Sequence, residues 1–129
     1  MDLSDELLYS KEHLWIRVEG DKAVLGITDH AQEMLGNISA IDLPVVGDEL
    51  DQDDSFGNVE ARKTVAELYA PLSGVVVEVN SEVVDSPEII NDDPYDAGWL
   101  LVLEISDHEE LKLLMSAEDY LDQVSANEE

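Results

Sequence analysis

Val59-Glu60-Ala61-Arg62-Lys63-Thr64-Val65-Ala66-Glu67-Leu68-Tyr69-Ala70-Pro71 places a basic pair at the centre of a strand-like, carboxylate-flanked segment. Before the pair, Phe56-Gly57-Asn58-Val59-Glu60 has the character of a short strand. After it, Val65-Ala66-Glu67-Leu68-Tyr69 alternates as a half-buried strand does. The pattern predicts a hairpin with Lys63 at or near its tip. The chain has only 6 Lys and Arg residues, and two of them, Arg62 and Lys63, are adjacent here. Taken alone, these residues fit a solvated turn with two ordinary cations better than they fit a site.

Outward from this segment the chain reads as short strands broken by turns. Pro71-Leu72-Ser73-Gly74 is a turn, and Val75-Val76-Val77-Glu78-Val79 is the most apolar strand. On the other side, Ile38-Ser39-Ala40-Ile41-Asp42-Leu43 predicts a strand closed by Pro44-Val45-Val46-Gly47. The acidic run 48–54 that follows reads as a solvated loop. It lacks the central glycine and terminal glutamate that a calcium loop needs. Nearer the start, His13-Leu14-Trp15-Ile16-Arg17-Val18 and Ala23-Val24-Leu25-Gly26-Ile27 flank a Glu19-Gly20-Asp21-Lys22 turn and predict a hairpin.

A short helix is expected over 29–35, with Thr28 or Asp29 as its cap and Gly36 as its stop. His30 falls in its first turn and reads as a surface histidine. Toward the C-terminus, 80–96 is acidic and turn-rich, with room for a short helical turn before Ile89-Ile90, and 98–105 predicts a strand. Ser106 with Glu109, and Ser116 with Asp119, fit capping boxes for two helices. The first is expected to run to about Met115, the second through Tyr120, Leu121 and Val124. The two tryptophans, Trp15 and Trp99, are both expected to pack as core or hinge aromatics. The expected organisation is one domain over 1–129, with 1–8 and 125–129 loose.

Charge narrows the partners. With 32 acidic and 6 basic residues the formal net charge is −26, which argues against nucleic acid and anionic membranes, since both need a positive surface. A salt-rich cytoplasm or an unusually basic docking partner would suit such a surface. The chain contains no cysteine, which removes disulfides, thiolate metal sites and a cysteine nucleophile together. The first residues lack the pattern of a signal peptide, so the expected location is the cytoplasm, and the expected state is a monomer.

The histidines, 13, 30 and 108, have no distinctive catalytic context among so many carboxylates, and the glycines stand singly at turns rather than in a phosphate-binding loop. No metal site is expected. A carrier or binding module therefore fits better than an enzyme, with Lys63 as its conspicuous residue.

The segment 59–71, continued by Leu72-Ser73-Gly74-Val75-Val76-Val77-Glu78-Val79-Asn80, resembles the lipoyl-attachment region of the glycine cleavage H protein family. Gly26-Ile27-Thr28-Asp29-His30-Ala31-Gln32, Leu43-Pro44-Val45-Val46-Gly47, Ser86-Pro87-Glu88-Ile89-Ile90-Asn91-Asp92-Asp93-Pro94-Tyr95 and Gly98-Trp99-Leu100 resemble it too, in the same order and spacing. The resemblance implies a mainly β fold, a barrel-sandwich hybrid of the lipoyl-domain type. It would have two small sheets, one short internal helix and C-terminal helices. It further implies lipoate amide-linked to Lys63, with Glu60, Arg62, Glu67 and His30 near the arm. The biotin-carrying relatives usually flank their lysine with methionines, whereas Arg62 and Thr64 stand here, so biotin is disfavoured.

The implied role is that of a non-catalytic carrier shuttling a lipoamide-bound intermediate between enzymes. Lipoate ligase or lipoyl transferase would load the arm, and lipoamide dehydrogenase would reoxidise it. Which enzymes it serves turns on departures from the family pattern. The usual Thr-His-Glu-Trp is Glu12-His13-Leu14-Trp15, Glu-Ser-Val-Lys-Ala is Glu60-Ala61-Arg62-Lys63-Thr64, and Ser-Asp is Ala66-Glu67. Loss of a carboxylate at Leu14 favours the similar lipoate-binding proteins of the heterodisulfide-reductase-like sulfur oxidation system, whose complex would be the partner. The alternative is an H protein serving glycine decarboxylase and aminomethyltransferase, and a further one is a non-lipoylated interaction module.

Overall fold

A computed structural model describes residues 7–10, 13–62 and 64–127. It is mainly β. Among the described residues nine strands form two antiparallel sheets, one of six strands in the order β1-β2-β3-β9-β8-β5 and one of three in the order β4-β6-β7. The first contains β1 (Leu8–Tyr9), β2 (Leu14–Glu19), β3 (Lys22–Ile27), β5 (Glu49–Leu50), β8 (Gly74–Val79) and β9 (Leu101–Ile105). The second contains β4 (Ile38–Asp42), β6 (Ser55–Ala61) and β7 (Val65–Tyr69).

Alternation along each strand decides what the larger sheet covers. In β3, Ala23, Leu25 and Ile27 enter the main core, while Val24 belongs to a second cluster on the opposite face. The same split places Leu14 and Ile16 on one side of β2 and Trp15 on the other, and in β9 it separates Leu101, Leu103 and Ile105 from Val102. The main core is completed by Ile38, Ile41, Phe56, Val59 and Leu68 of the smaller sheet. Between β2 and β3, Gly20 at φ +64 supplies the left-handed backbone of a two-residue turn closed by Glu19 opposite Lys22.

Several local expectations are corrected. Internal helices number three among the described residues rather than one: α1 (Asp29–Leu35), α2 (Ser81–Asp85) and α3 (Glu88–Asp92). The polar residues that read as turn signals serve as a cap, since the Asn80 side chain accepts from the Glu82 amide at 3.2 Å. Val83 and Ile90 then anchor the two short helices in the core. The acidic run supplies a strand, β5, whose backbone pairs with β8 while its carboxylates stay solvated. The strand expected from residue 98 begins at Leu101.

The segment after Ser106 is a 3₁₀ helix, His108–Leu113, capped by Asp107. Glu110 leaves it to clamp the 71–74 turn. One carboxylate oxygen accepts from the Ser73 amide at 2.7 Å, the other from the Ser73 hydroxyl at 2.9 Å. The last helix, α4 (Ala117–Asn127), begins at the expected cap, Ser116, whose hydroxyl accepts from the Asp119 amide at 3.2 Å.

Of the ends expected to be loose, 1–8 and 125–129, residues 1–6 and 128–129 lie outside the described residues, and the described parts join the fold. Leu7 is buried and Leu8 opens β1. Leu8 pairs with Ile16, and Tyr9 exchanges backbone hydrogen bonds with Met115 and stacks on Tyr120 at 5.0 Å. Helix α4 runs on to Asn127. Among the described residues no helix is long and apolar enough to cross a membrane.

Candidate functional site

Strands β6 and β7 form a hairpin whose ladder runs to Glu60 opposite Val65, beyond which the Ala61 amide donates to the Thr64 carbonyl at 2.8 Å. Val59 and Leu68 point into the core, while Glu60, Thr64, Val65 and Glu67 are exposed. The tip is tied at its base, because the Arg62 amide donates to the Asn37 carbonyl at 3.1 Å. The Arg62 side chain is exposed. Lys63 itself lies outside the described residues, between these neighbours in sequence.

Beside the hairpin a pocket of about 100 Å³ opens between β7, α1 and the start of β2. Its walls include Leu14, Ala31, Met34 and Leu68, with His13 and Glu67 as the polar members. Of the residues proposed from sequence, Glu67 reaches this pocket. Glu60 and Arg62 stand at the hairpin tip and do not line it. His30 is not a surface histidine: it is buried, 7% exposed, with its ring 5.1 Å from that of His13. Its place on the inner side of α1, next to the core residue Ala31, is what encloses it.

His13 is not marked as a site residue by its sequence context, because the partner that distinguishes it, Tyr120, lies 107 residues away. The His13 ring occupies the end of a polar chain. Its Nδ1 lies 2.8 Å from the Tyr120 hydroxyl, which in turn lies 2.8 Å from Thr28 Oγ1. The backbone of His13 is left-handed at φ +67, and its carbonyl accepts from the Thr28 amide at 3.1 Å. Burial, and then the neighbouring His30, push the His13 imidazole below its ordinary pKa. Burial likewise pushes the Tyr120 phenol up to about 12, so it remains a hydroxyl at neutral pH.

Leu14 is 1% exposed and belongs to the core. Replacing it with glutamate therefore loses apolar packing and buries a carboxylate, rather than simply adding a charge to an open cleft. Leu14→Glu is expected to cost about 2–5 kcal/mol of stability at neutral pH. A buried carboxyl has a raised pKa, so the loss shrinks as pH falls and the group is protonated. Urea unfolding at pH 5 and pH 8 checks this, and wild-type stability at both values would contradict it.

Two antiparallel sheets that share one core, with an exposed hairpin beside a small apolar pocket, form a barrel-sandwich hybrid of the lipoyl-domain type. The glycine cleavage H-protein family model matches residues 7–127, and the chain belongs to that family. The chain is 53% identical over 124 residues to the glycine cleavage system H protein of Halalkalibacterium halodurans, covering 96% of this chain and 97% of that one. It is 54% identical over 120 residues to the H protein of Oceanobacillus iheyensis, covering 93% and 95%. The crystal structure of a glycine cleavage system H protein from Mycobacterium marinum superposes with a TM-score of 0.87 at 37% identity, covering 95% of this chain and 99% of that chain.

Glycine cleavage H proteins carry lipoate covalently on a lysine. None of these matches supports the sulfur-oxidation reading drawn from Leu14 and the altered arm neighbours; they favour the glycine alternative. The packing of Leu14 in the core gives its apolar character a structural reason that involves no change of cargo.

Proposed function

We propose that this chain is the H protein of a glycine cleavage system, carrying an aminomethyl group on lipoyl-Lys63 from glycine decarboxylase to aminomethyltransferase. The observation that carries this reading is the exposed β6–β7 tip, with the family's lysine position at 63, next to the pocket walled by Leu14, Ala31, Met34 and Leu68. The residues present suit lipoate. An exposed tip lets a ligase or lipoyl transferase approach, and Glu60 and Arg62 are placed to be recognised there. When bound, lipoate supplies a redox-active disulfide on a long flexible arm.

The apolar walls exclude water from what enters the pocket, and the exposed Glu67 offers a carboxylate to a cationic amine at its rim. No residue of the chain performs a chemical step in this reading. Glycine decarboxylase, aminomethyltransferase and a lipoamide dehydrogenase do the chemistry, and the chain serves as their mobile substrate. The test is exchange of labelled CO₂ into glycine by a glycine decarboxylase, with pyridoxal phosphate and this protein after full lipoylation is verified by intact mass. Saturable exchange that depends on the lipoylated protein is expected. Absence of exchange with a fully lipoylated protein would overturn the glycine reading.

A further inference from the structure

Tyr120 stands 107 residues from His13 in sequence, yet its hydroxyl occupies one ring nitrogen of that pocket residue. The direction of the hydrogen bonds follows from counting protons. Thr28 is fully buried, and its Oγ1 accepts from the Ala31 amide at 3.2 Å, as the cap of α1. Among the described residues its other side-chain partner is the Tyr120 oxygen. Thr28 Oγ1 has a second lone pair, but donating to Tyr120 is the arrangement that leaves its own buried hydroxyl proton paired. Tyr120 then has its own proton to donate, and the acceptor in reach is His13 Nδ1. An imidazole that accepts at Nδ1 carries its proton on Nε2.

We propose that Tyr120 is a positioning residue of the arm pocket: through its hydroxyl, helix α4 fixes His13 in the tautomer that offers Nε2–H as a donor. The proposal rests on the reading of this pocket as the shelter of the loaded arm. Among the described residues, the groups around the His13 ring come from three elements: His30 from α1, Tyr120 from α4 and Glu67 across the pocket from β7. Two of them are aromatic contacts that hold the ring's place, 5.1 Å for His30 and 5.7 Å for Tyr120. The Tyr120 hydroxyl acts differently, since it sets where the proton sits. With His13 at the mouth of β2, the pocket wall shows a fixed N–H donor only while α4 is docked.

Tyr120→Phe keeps the ring and its stacking on Tyr9 but deletes the hydroxyl, so α4 is expected to stay docked. The experiment uses the fully lipoylated protein, wild type and Tyr120→Phe, at pH 8, where the imidazole is neutral. Long-range ¹⁵N–¹H spectra of the His13 ring are expected to show the Nε2–H tautomer in the wild type and a mixture in the variant. The second readout is loss of the aminomethyl group from the loaded protein after glycine decarboxylase is removed. A fixed Nε2–H has the Glu67 carboxylate as its acceptor across the pocket, the group that faces the cationic amine, so losing that one hydrogen bond corresponds to a rate about 2–10-fold higher in the variant. If Tyr120→Phe loosens α4, Thr28→Val is used instead. It removes the donor that directs Tyr120, and the same move toward mixed tautomers is expected.

Unchanged His13 nitrogen shifts in both variants would overturn the proposal. So would a changed tautomer with an unchanged rate of aminomethyl loss. Failure of the underlying carrier reading is distinguishable, because it appears as absent exchange in the wild-type protein, before any variant is compared.

Discussion

Lys63→Ala is expected to abolish lipoyl addition: intact mass after treatment with a lipoate ligase shows one lipoyl group on the wild type and none on the variant. Glycine–CO₂ exchange should fall to the background set by unmodified protein, because no other lysine offers the same setting. Lys22 lies within the six-stranded sheet, in register with Glu19 and Glu104. Lys112 holds Glu109 at 2.8 Å on the 3₁₀ helix. Lys11 is flanked by Ser10 and Glu12 and lacks the Glu-x-x-Lys pattern of residues 60–63. The described neighbours of position 63, Arg62 and Thr64, are exposed, so the melting temperature is expected to stay within a degree or two of the wild type, corresponding to a surface change of roughly 0.5 kcal/mol or less. A lipoylated Lys63→Ala protein would move the site elsewhere.

The second large effect is on stability. Trp15→Ala is expected to cost about 3–5 kcal/mol, measured by urea or thermal unfolding. The indole is fully buried, and its Nε1–H donates to the Pro94 carbonyl at 2.8 Å. It lies across Gly26, its partner on β3, where any Cβ would collide with the ring. Tyr95, 6.2 Å away by ring centroid, carries the link onward by accepting from the Asp29 amide at 2.9 Å, at the start of α1. Truncating Trp15 thus removes apolar packing and frees the 94–95 loop together. Trp99, expected from sequence to behave alike, is only partly buried against the outer cluster, and its truncation should cost less. A near-neutral Trp15→Ala would contradict this packing.

Local signals explain which parts of the fold were legible. The β2–β3 hairpin is marked by Gly20 between alternating runs, and the β6–β7 hairpin by alternating character on each side of Arg62 and Lys63. Thr28 as the cap of α1 and Ser116 as the cap of α4 are likewise readable, because a cap is a short-range bond. Strand β5 was hidden, since pairing through the backbone leaves no mark on a run of carboxylates. The helix expected after Ser106 is capped by Asp107 and ends at Leu113 rather than near Met115, and nothing local announces that Glu110 clamps Ser73. Glu67, expected near the arm, lines the pocket beside the hairpin, while Lys63 lies outside the described residues. His13 was not legible, because what distinguishes it is a tyrosine far along the chain.

One property of the larger sheet bears on how the chain emerges from the ribosome. Strand β3 has β2 on one side, but its other neighbour is β9, with Lys22 opposite Glu104 and Leu25 opposite Leu101. At translation speeds of about 5–20 residues per second, the free edge of β3 waits on the order of several seconds for that partner to be made. During that interval Ala23, Val24, Leu25 and Ile27 form an unpaired apolar edge of the kind that recruits other nascent chains. The acidic runs made in the meantime, above all 48–54, place like charges on each such intermediate. Neighbouring chains on one messenger then repel one another until Leu101–Ile105 arrives and closes the sheet.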